Sequence, residues 1–245
     1  MKFLRVLLVP LMGLVLTSCG SSEPKTTERQ LTLDEASLLS QASFNNYDGG
    51  GAIFDVNTVT APGGPQLRLM GAIDWRTHTG TAEVSTTIPD TTLKNVWWRD
   101  DGVLELRPQL KDTISAISSV EYPVLLRRPD KSRRLDQVLA IITGLASEQA
   151  ENAQLVLQKE GSAYLRQDVL RGKQVAVLRY GNQSIFWIDA ETQKCLRFEG
   201  INQSGNQPIV VDFMHHGPQT IRLPPQEAWV DMEGNEQLLQ LISGF

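Results

Sequence analysis

Histidine and cysteine are the side chains of this sequence that could hold a metal ion or supply a nucleophile. The chain has three histidines, His78, His215 and His216, and two cysteines, Cys19 and Cys195. His215 and His216 are adjacent on a predicted strand, so their side chains point to opposite faces and cannot readily share one ion. His78 lies in a turn-like segment, RTHTG, with no second ligand at a suitable spacing. We therefore predict no metal site and expect solvated or capping histidines.

The sequence motifs of hydrolytic and phosphate-binding sites are also missing. There is no G-x-S-x-G elbow and no H-E-x-x-H motif. Gly49–Gly51 follows a predicted helix rather than opening one, unlike a phosphate-binding loop. Cys195 lies on a predicted strand without a local activating motif, which favours a buried, inert thiol. We therefore expect a protein that is not an enzyme and has no cofactor.

Cys19 has a different setting, because it follows the apolar run Val6–Leu16 and a start that contains Lys2 and Arg5. A basic beginning, a short apolar stretch and small residues after it are typical of a secretory signal peptide. The stretch is shorter than the roughly 20 residues of a membrane span. The sequence LTSC, which ends at Cys19, resembles the lipobox of bacterial lipoproteins. The alternative is an ordinary secretory peptide with a chance cysteine.

The lipobox resemblance implies that Cys19 receives a diacylglyceryl thioether and becomes the mature N-terminus, often with another acyl chain on its amine. One chain anchors a protein marginally and two or three anchor it stably, because each buried methylene contributes about 0.8 kcal/mol. We expect residues 1–18 to be the signal peptide and residues 19–31 to be a lipidated N-terminus with a flexible tether. The protein is then expected on the outer, extracytoplasmic face of the cell membrane.

The charge of the mature chain argues against nucleic acid as a partner. Removing Lys2 and Arg5 takes away two positive charges and changes the formal charge from −5 to −7. Non-specific nucleic-acid affinity comes from basic residues that neutralise phosphates. We therefore expect no nucleic-acid binding.

The elements that position any site follow from the periodicity of residues 32–245, which we expect to form one domain. Thr32 and Glu35 form a capping-box pattern before an apolar stripe, which predicts a first helix. After it the period changes to two, which predicts antiparallel strands joined by tight loops. The segment Arg133–Ser147 predicts a second helix, which Ser132 could cap.

Strands resume after this helix, beginning with AQLVLQKE at Ala153 and ending with PIVVDFMHHG at Gly217. The order predicts an α+β fold with a single large curved antiparallel sheet, a half-barrel of about ten or eleven strands that wraps two or more helices. Beyond Pro225, the leucines around Leu238 and Leu239 predict a short amphipathic segment that packs on the domain or closes a cavity, and we favour packing.

Four stretches resemble the actinobacterial lipoproteins of the LprG/LppX type, which share a half-barrel fold with the LolA/LolB lipoprotein carriers. The stretches are LTSC at Cys19, RRLDQVLAIITGLA in the place of the family's central helix, IFWIDAETQKCLRFE and VVDFMHHGPQTIRLPP. The third resembles a strand pair that carries Arg197, and the fourth resembles the closing strand. The resemblance spans most of Leu31–Pro225.

The resemblance implies an apolar cavity between sheet and helices that holds acyl chains. The strand and helix residues that we expect to line it are Phe54, Val56, Leu69, Ile73, Val84, Leu135, Val138, Leu139, Ile142 and Val177. The alternative is that these positions fill a close-packed core, as in most protein interiors. The pattern of apolar residues is compatible with both.

A basic segment, LLRRPDKSRR, precedes the second helix. Its arginines are Arg127, Arg128, Arg133 and Arg134. They form either a solvated loop or a contact with an anionic lipid headgroup beside the mouth of the cavity.

Two hypotheses follow for the function. The first is a membrane-anchored lipoprotein that binds acylated lipid, glycolipid or lipoprotein and carries or holds it at the cell envelope. An envelope transporter or sensor protein is then a further expected partner. The alternative is an envelope-stress sensor or adaptor on the same fold that binds a membrane protein partner.

The anchor provides the first testable prediction. We expect Cys19→Ser to abolish metabolic labelling of the protein with fatty acid and to release or mislocalise it, because serine cannot form the thioether. The measurement is incorporation of a labelled fatty acid, with membrane fractionation. Persistent labelling of the variant would contradict the lipobox interpretation.

Overall fold

The computed structural model of the protein describes residues 28–61, 63–87, 93–200 and 208–241. The predicted signal peptide, Cys19 and the greater part of the predicted tether lie outside the described residues. None of the described helices is long and apolar enough to cross a membrane.

Twelve strands and five α-helices make up the described part of the chain. The strands are β1 Gly51–Val59, β2 Gln66–Asp74, β3 Thr79–Thr86, β4 Asn95–Arg99, β5 Gly102–Leu106, β6 Val124–Arg127, β7 Ala163–Leu170, β8 Lys173–Tyr180, β9 Ser184–Asp189, β10 Cys195–Gly200, β11 Ile209–His216 and β12 Trp229–Asp231. The helices are α1 Leu33–Asp48, α2 Lys111–Ser118, α3 Arg134–Gly144, α4 Ala153–Gln158 and α5 Glu236–Leu241.

All described strands belong to one open, curved sheet in the order β12-β6-β5-β4-β3-β2-β1-β11-β10-β9-β8-β7. Neighbouring strands are antiparallel except β12 and β6, which run parallel. The predicted α+β half-barrel is confirmed. The sheet has twelve strands rather than ten or eleven, and it is mixed rather than purely antiparallel because the three-residue strand β12 joins its edge.

Helices α1 and α3 lie on the same face of the sheet, which we call the inner face. Buried residues of α3 pack in one cluster with β1, β2, β10 and β11, and buried residues of α1 pack in another with β8 and β9. Phe186 of β9 packs against both clusters. The two helices therefore share one side of the curved sheet.

The predicted capping box is present at the start of α1. The Thr32 hydroxyl accepts a hydrogen bond from the backbone N–H of Glu35, whose carboxylate accepts from the backbone N–H of Thr32 at 2.9 Å. The second predicted helix is shorter than expected, because α3 starts at Arg134 and stops at Gly144. Ser132 does not cap it, since its hydroxyl donates to Asp130 instead.

The segment AQLVLQKE forms helix α4, so the predicted strand there is wrong. The Asn152 side chain accepts from the backbone N–H of Gln154 and caps the helix. Val156 is fully buried in the cluster that contains α1. A short apolar run is compatible with either a strand or a buried helix, and packing against α1 decides it here.

The C-terminal segment packs on the domain, as we favoured. Leu238 of α5 is fully buried together with Val230 and Met232, against Ile114 of α2 and Leu125 of β6. Only part of the predicted amphipathic segment is buried, because the side chain of Leu239 is exposed. This third cluster extends the core beyond the part that the family resemblance covers.

Four buried charged side chains join α3 to the region of β5 and β6. Arg127 Nε donates to Glu105 Oε1 at 2.6 Å, and Arg127 Nη2 donates to Asp136 Oδ1 at 2.7 Å. Arg107 Nε donates to the other Glu105 oxygen at 2.8 Å. Asp136 also accepts from the backbone N–H of Asp130 at 2.6 Å. The first turn of α3 is thereby tied to two neighbouring strands.

Glu105 and Arg127 are held in their charged forms by buried partners of opposite sign. Burial alone would raise the pKa of Glu105, but the guanidinium groups of Arg127 and Arg107 hold it below its ordinary value. Burial alone would lower the pKa of Arg127, yet the contacts with Asp136 and Glu105 raise it overall. A buried charge left without its partner is strongly destabilising.

We expect Asp136→Asn to lower the free energy of unfolding by about 3 kcal/mol, because Arg127 would lose a buried negative partner. The measurement is a urea denaturation curve at neutral pH. The control is Asp101→Asn, since Asp101 forms an exposed ion pair with Arg99 and exposed pairs contribute little. Similar losses in the two variants would contradict a special role of the buried cluster.

Candidate functional site

Two adjoining clefts form a groove on the inner face, between α1 and α3, which we call the α1–α3 groove. One cleft has a volume of about 600 Å³ and is bounded by α1, the segment 145–151 and strands β8 to β10. The other has a volume of about 550 Å³ and is bounded by the start of α3 and strands β9 to β11. Ile141, Ser184 and Phe198 line both, so the clefts are continuous.

The floor of the groove is aromatic. Phe186 and Phe198 are register partners in β9 and β10, and their ring centroids lie 5.2 Å apart in an edge-to-face arrangement. Gly200, two residues beyond Phe198, also faces the groove. A Cβ atom at Gly200 would lie 2.9 Å from the Phe198 ring, so glycine leaves room for that ring.

One wall of the groove is the outward face of α3. This helix buries Val138 and Ile142 against the sheet, and the helical period leaves Ile141 half-buried with Ala140 and Gly144 exposed. Nothing lies within 4 Å of the place where a Gly144 Cβ would be. Because Ala140 and Gly144 have small side chains or none, the helix does not project into the groove, and the groove stays open.

A third cleft of about 410 Å³ lies on the other flank of α3, between the helix and the β4–β5 hairpin. Its apolar lining includes Trp98, Val103 and Leu139, and His78 and Asp100 lie at its rim. Ala140 and Gly144 line this cleft as well as the α1–α3 groove. Helix α3 therefore separates two clefts, and its exposed surface between them consists of small residues.

The two ends of the α1–α3 groove differ in charge. At one end lie Lys131 and Arg134, and Arg134 Nη2 donates to the Thr58 hydroxyl at 2.8 Å. At the other end Tyr180 donates to a Glu151 carboxylate oxygen at 2.8 Å. Burial and this carboxylate raise the pKa of Tyr180 to about 12, so the phenol stays protonated. Asp136 also lines the first end, but its carboxylate is paired with Arg127, so Lys131 and Arg134 give this end its positive charge.

The residues predicted to line a cavity lie mostly in close-packed core. Nine of the ten belong to the main cluster under α3: Phe54, Val56, Leu69, Ile73, Val84, Leu135, Val138, Leu139 and Ile142. Leu139 also lines the third cleft, whereas the α1–α3 groove is lined by other residues.

Val177, the tenth residue predicted to line the cavity, does not belong to the main cluster. It packs with Val175 and Trp187 in a cluster without helix residues, whereas Leu178 packs against α1. Successive side chains of a strand point to opposite faces, so Val177 lies on the outer face of the sheet. It cannot face a cavity between sheet and helices.

The four arginines of the basic segment occupy different environments. Arg127 is buried in the charged cluster with Glu105 and Asp136, so its guanidinium cannot meet a headgroup at the surface. Arg128 is exposed and pairs with Glu233. Arg133 and Arg134 are half-buried at the start of α3, and Arg134 lines the groove.

Sequence reasoning missed the groove residues themselves. Phe186 and Phe198 both lie in IFWIDAETQKCLRFE, the stretch that carried part of the family resemblance. Alternation along β9 places Phe186 and Ile188 on one face, which could have indicated an aromatic inner position. The half-buried side of α3 at Ile141 depends on where α1 lies, which the local pattern does not specify.

Similar solved structures are found, but no protein-family model and no curated protein matches the sequence. An uncharacterized conserved protein from Thermus thermophilus is 9% identical, with a TM-score of 0.42 over 79% of this chain and 96% of that one. LprF from Mycobacterium bovis is 13% identical, with a TM-score of 0.39 over 78% and 97%. MucB in the Pseudomonas aeruginosa MucA/MucB complex is 11% identical, with a TM-score of 0.35 over 79% and 59%. Membership of the LprG/LppX type stays a prediction.

The histidines do not converge on a site. His78 Nδ1 lies 3.0 Å from Asp100 Oδ2, and His215 is exposed. Within the described ranges no group of three or more His, Cys, Asp or Glu side chains could hold a metal ion. His216 is neither solvated nor capping, because its ring packs against Trp75 and Phe213, with centroids 6.2 and 5.6 Å away.

The position of His216 follows from an irregularity in the sheet. The register between β1 and β11 shifts at Ile53 and Phe54, which pair with His215 and Phe213. The shift leaves Met214 as an extra residue, so Phe213 and His216 point to the same face. Burial, with a smaller contribution from the charge of Lys194, lowers the pKa of His216 to about 4.

The lowered pKa of His216 predicts sensitivity to acid. Between about pH 6.5 and 4 the unfolded chain binds a proton that the folded protein does not, so stability falls as the pH falls through this interval. The slope from this group is at most about 1.4 kcal/mol per pH unit. Lys194, Lys173 and Arg171 add unfavourable charge to the protonated ring.

We expect His216→Phe to remove this contribution while keeping a ring between Trp75 and Phe213. Denaturation curves measured from pH 7 to pH 4 should show a shallower loss of stability for the variant than for the native protein. Parallel pH profiles of the two proteins would contradict the half-buried, neutral state of His216.

Proposed function

We propose that this protein is a lipid-anchored, non-enzymatic envelope protein that binds an acyl chain in the α1–α3 groove. It holds or carries the acylated molecule, a lipid, glycolipid or lipoprotein, at the outer face of the cell membrane. The observation that carries the proposal is the groove itself, an open apolar trough with an aromatic floor and one cationic end.

Burial of an acyl chain supplies the binding free energy. Each buried methylene contributes about 0.8 kcal/mol, so several methylenes over Phe186 and Phe198 give a substantial gain before the entropic costs of binding. Ligand sites are typically concave, about 300–1,000 Å³ in volume and mainly apolar with a few polar groups. The two clefts of the groove, at about 550 and 600 Å³, lie within this range.

The cationic end fixes the direction of the ligand. Lys131 and Arg134 favour a carboxylate or phosphate at this end of the groove, with the chain running past Ile141 and over Phe198. Arg134 is oriented by Thr58 and by the backbone carbonyl of Val59 at 3.2 Å. An anionic headgroup next to Lys131 would stand at the surface, where transfer to another carrier is easy.

We expect Ile141→Trp to reduce bound lipid several-fold, because an indole at this position fills the junction of the two clefts. Ile141 is half-buried beside open space, so the free energy of unfolding of delipidated protein should change little. The measurement is native mass spectrometry of membrane-extracted protein, with thermal unfolding after delipidation, because bound ligand adds its own stabilisation.

The control is Leu155→Trp, since Leu155 of α4 is exposed and lies outside the lining of the groove. Native lipid content in Leu155→Trp and reduced content in Ile141→Trp would support the proposal. Equal lipid content in both variants would remove the groove as the acyl site. A stable membrane-protein partner without bound lipid would favour the sensor or adaptor alternative.

A further inference from the structure

The mouth of the groove lies at one end of the half-barrel. β1 ends at Val59, beside the start of β11. From there the pairing continues across three more strands: Ile209 of β11 pairs with Gly200 of β10, and Gly200 pairs with Ser184 of β9. Ser184 in turn pairs with Tyr180 of β8. These five residues therefore lie at one end of the sheet, which we call the mouth end. Three of them, Ile209, Gly200 and Ser184, line the cationic cleft, and Tyr180 lines the adjoining cleft beside Glu151, so both clefts open at this end.

The N-terminal segment joins the domain at the same end. Glu28 Oε1 lies 2.5 Å from Arg179 Nη2 and forms an ion pair with it. Arg179 is the penultimate residue of β8. Arg29 exchanges two backbone hydrogen bonds with Tyr164 of the edge strand β7, and its guanidinium lies 4.1 Å from the centre of the Tyr164 ring. Residues 28–31, the end of the predicted tether, are thus held against the domain.

The short stretch before Glu28 limits how far this end can move from an anchor at Cys19. Eight residues, 20–27, separate the two positions. Even a fully extended chain spans at most about 3.3–3.6 Å per residue, which gives a reach of roughly 30 Å. An acyl anchor at Cys19 therefore keeps the attachment point of the domain, at the mouth end, within roughly 30 Å of the membrane.

The mouth end also carries the last part of the basic segment, residues 129–134, of which Pro129, Lys131 and Arg134 line the cationic cleft. Arg134 donates to the carbonyl of Val59, which places the start of α3 at this end of the sheet. Residues 129–134 include three cations, Lys131, Arg133 and Arg134, and one acidic residue, Asp130. Basic clusters beside a membrane anchor are attracted to anionic lipids over about one Debye length.

From these three coincident features we infer that the mouth end is a docking surface for an anionic phospholipid bilayer. The anchor attaches the chain at this end, the basic segment contacts the headgroups, and the α1–α3 groove opens toward the lipid surface. A ligand then enters the groove from the membrane that carries the protein. The inference rests on the proposed function, because it takes Cys19 as the anchor.

The test measures the distance of each end of the domain from the bilayer. The lipidated protein is reconstituted in phosphatidylcholine vesicles with or without phosphatidylglycerol, both containing a headgroup-attached quencher. A fluorophore is placed at Ala61→Cys, in the turn after β1 at the mouth end, or at Ala190→Cys, in the turn after β9 at the opposite end. Native Cys195 is fully buried, burial raises its pKa to about 12, and it stays unlabelled.

We expect quenching to be several-fold stronger at position 61 than at position 190, because the six residues of β9 alone separate the ends by about 20 Å. The difference should shrink in vesicles without phosphatidylglycerol, and in the double variant Lys131→Gln with Arg133→Gln. Equal quenching at the two positions, or quenching independent of phosphatidylglycerol, would overturn the docking surface and leave lipid binding in the groove intact. Protein that does not associate with vesicles would overturn the anchor and the docking surface together. If the native protein carries no lipid in mass spectrometry but keeps the difference in quenching between the two positions, lipid binding in the groove is contradicted and the docking surface is not.

Discussion

The buried pairing of Arg127 with Glu105 and Asp136 is the interaction on which the arrangement of the site depends. It fixes the first turn of α3 to two strands near one edge of the sheet, and the helix extends from there across the inner face. A buried ion pair is not by itself a gain in stability, because desolvation offsets much of the attraction. Its contribution here is geometric, since charged groups tolerate only a few alternative positions in an apolar interior.

The groove is a consequence of how α3 is then packed. Its large side chains, among them Val138 and Ile142, are directed into the core, and its outward face has Ala140 and Gly144. A helix with larger outward residues would fill the space toward α1. The domain thus keeps a close-packed core under the helix and open clefts beside it, so ligand binding does not require a hollow interior.

Much of the fold could be predicted from local patterns, but the site could not. The capping box at Thr32 and the alternation along the strands are local signals, and they predicted α1 and the curved sheet correctly. The misread helix α4 and the missed strand β12 are short, and contacts with distant parts of the chain decide both. Arg127 looked like its exposed neighbour Arg128 because its counter-ion Glu105 is 22 positions away in the chain. Val177 shows the same limit, since alternation alone does not say which face carries the helices.

The attachment of residues 28–31 has a mechanical consequence. Any pull transmitted from a membrane anchor reaches Glu28 and Arg29 first, where an ion pair with Arg179 and two backbone hydrogen bonds to Tyr164 resist it. Those contacts lie in series before Thr32 and the first turn of α1. The load is therefore shared: part of it passes to the edge strand of the sheet, and the rest reaches the first turn of α1 through the ion pair between Arg29 and Glu35.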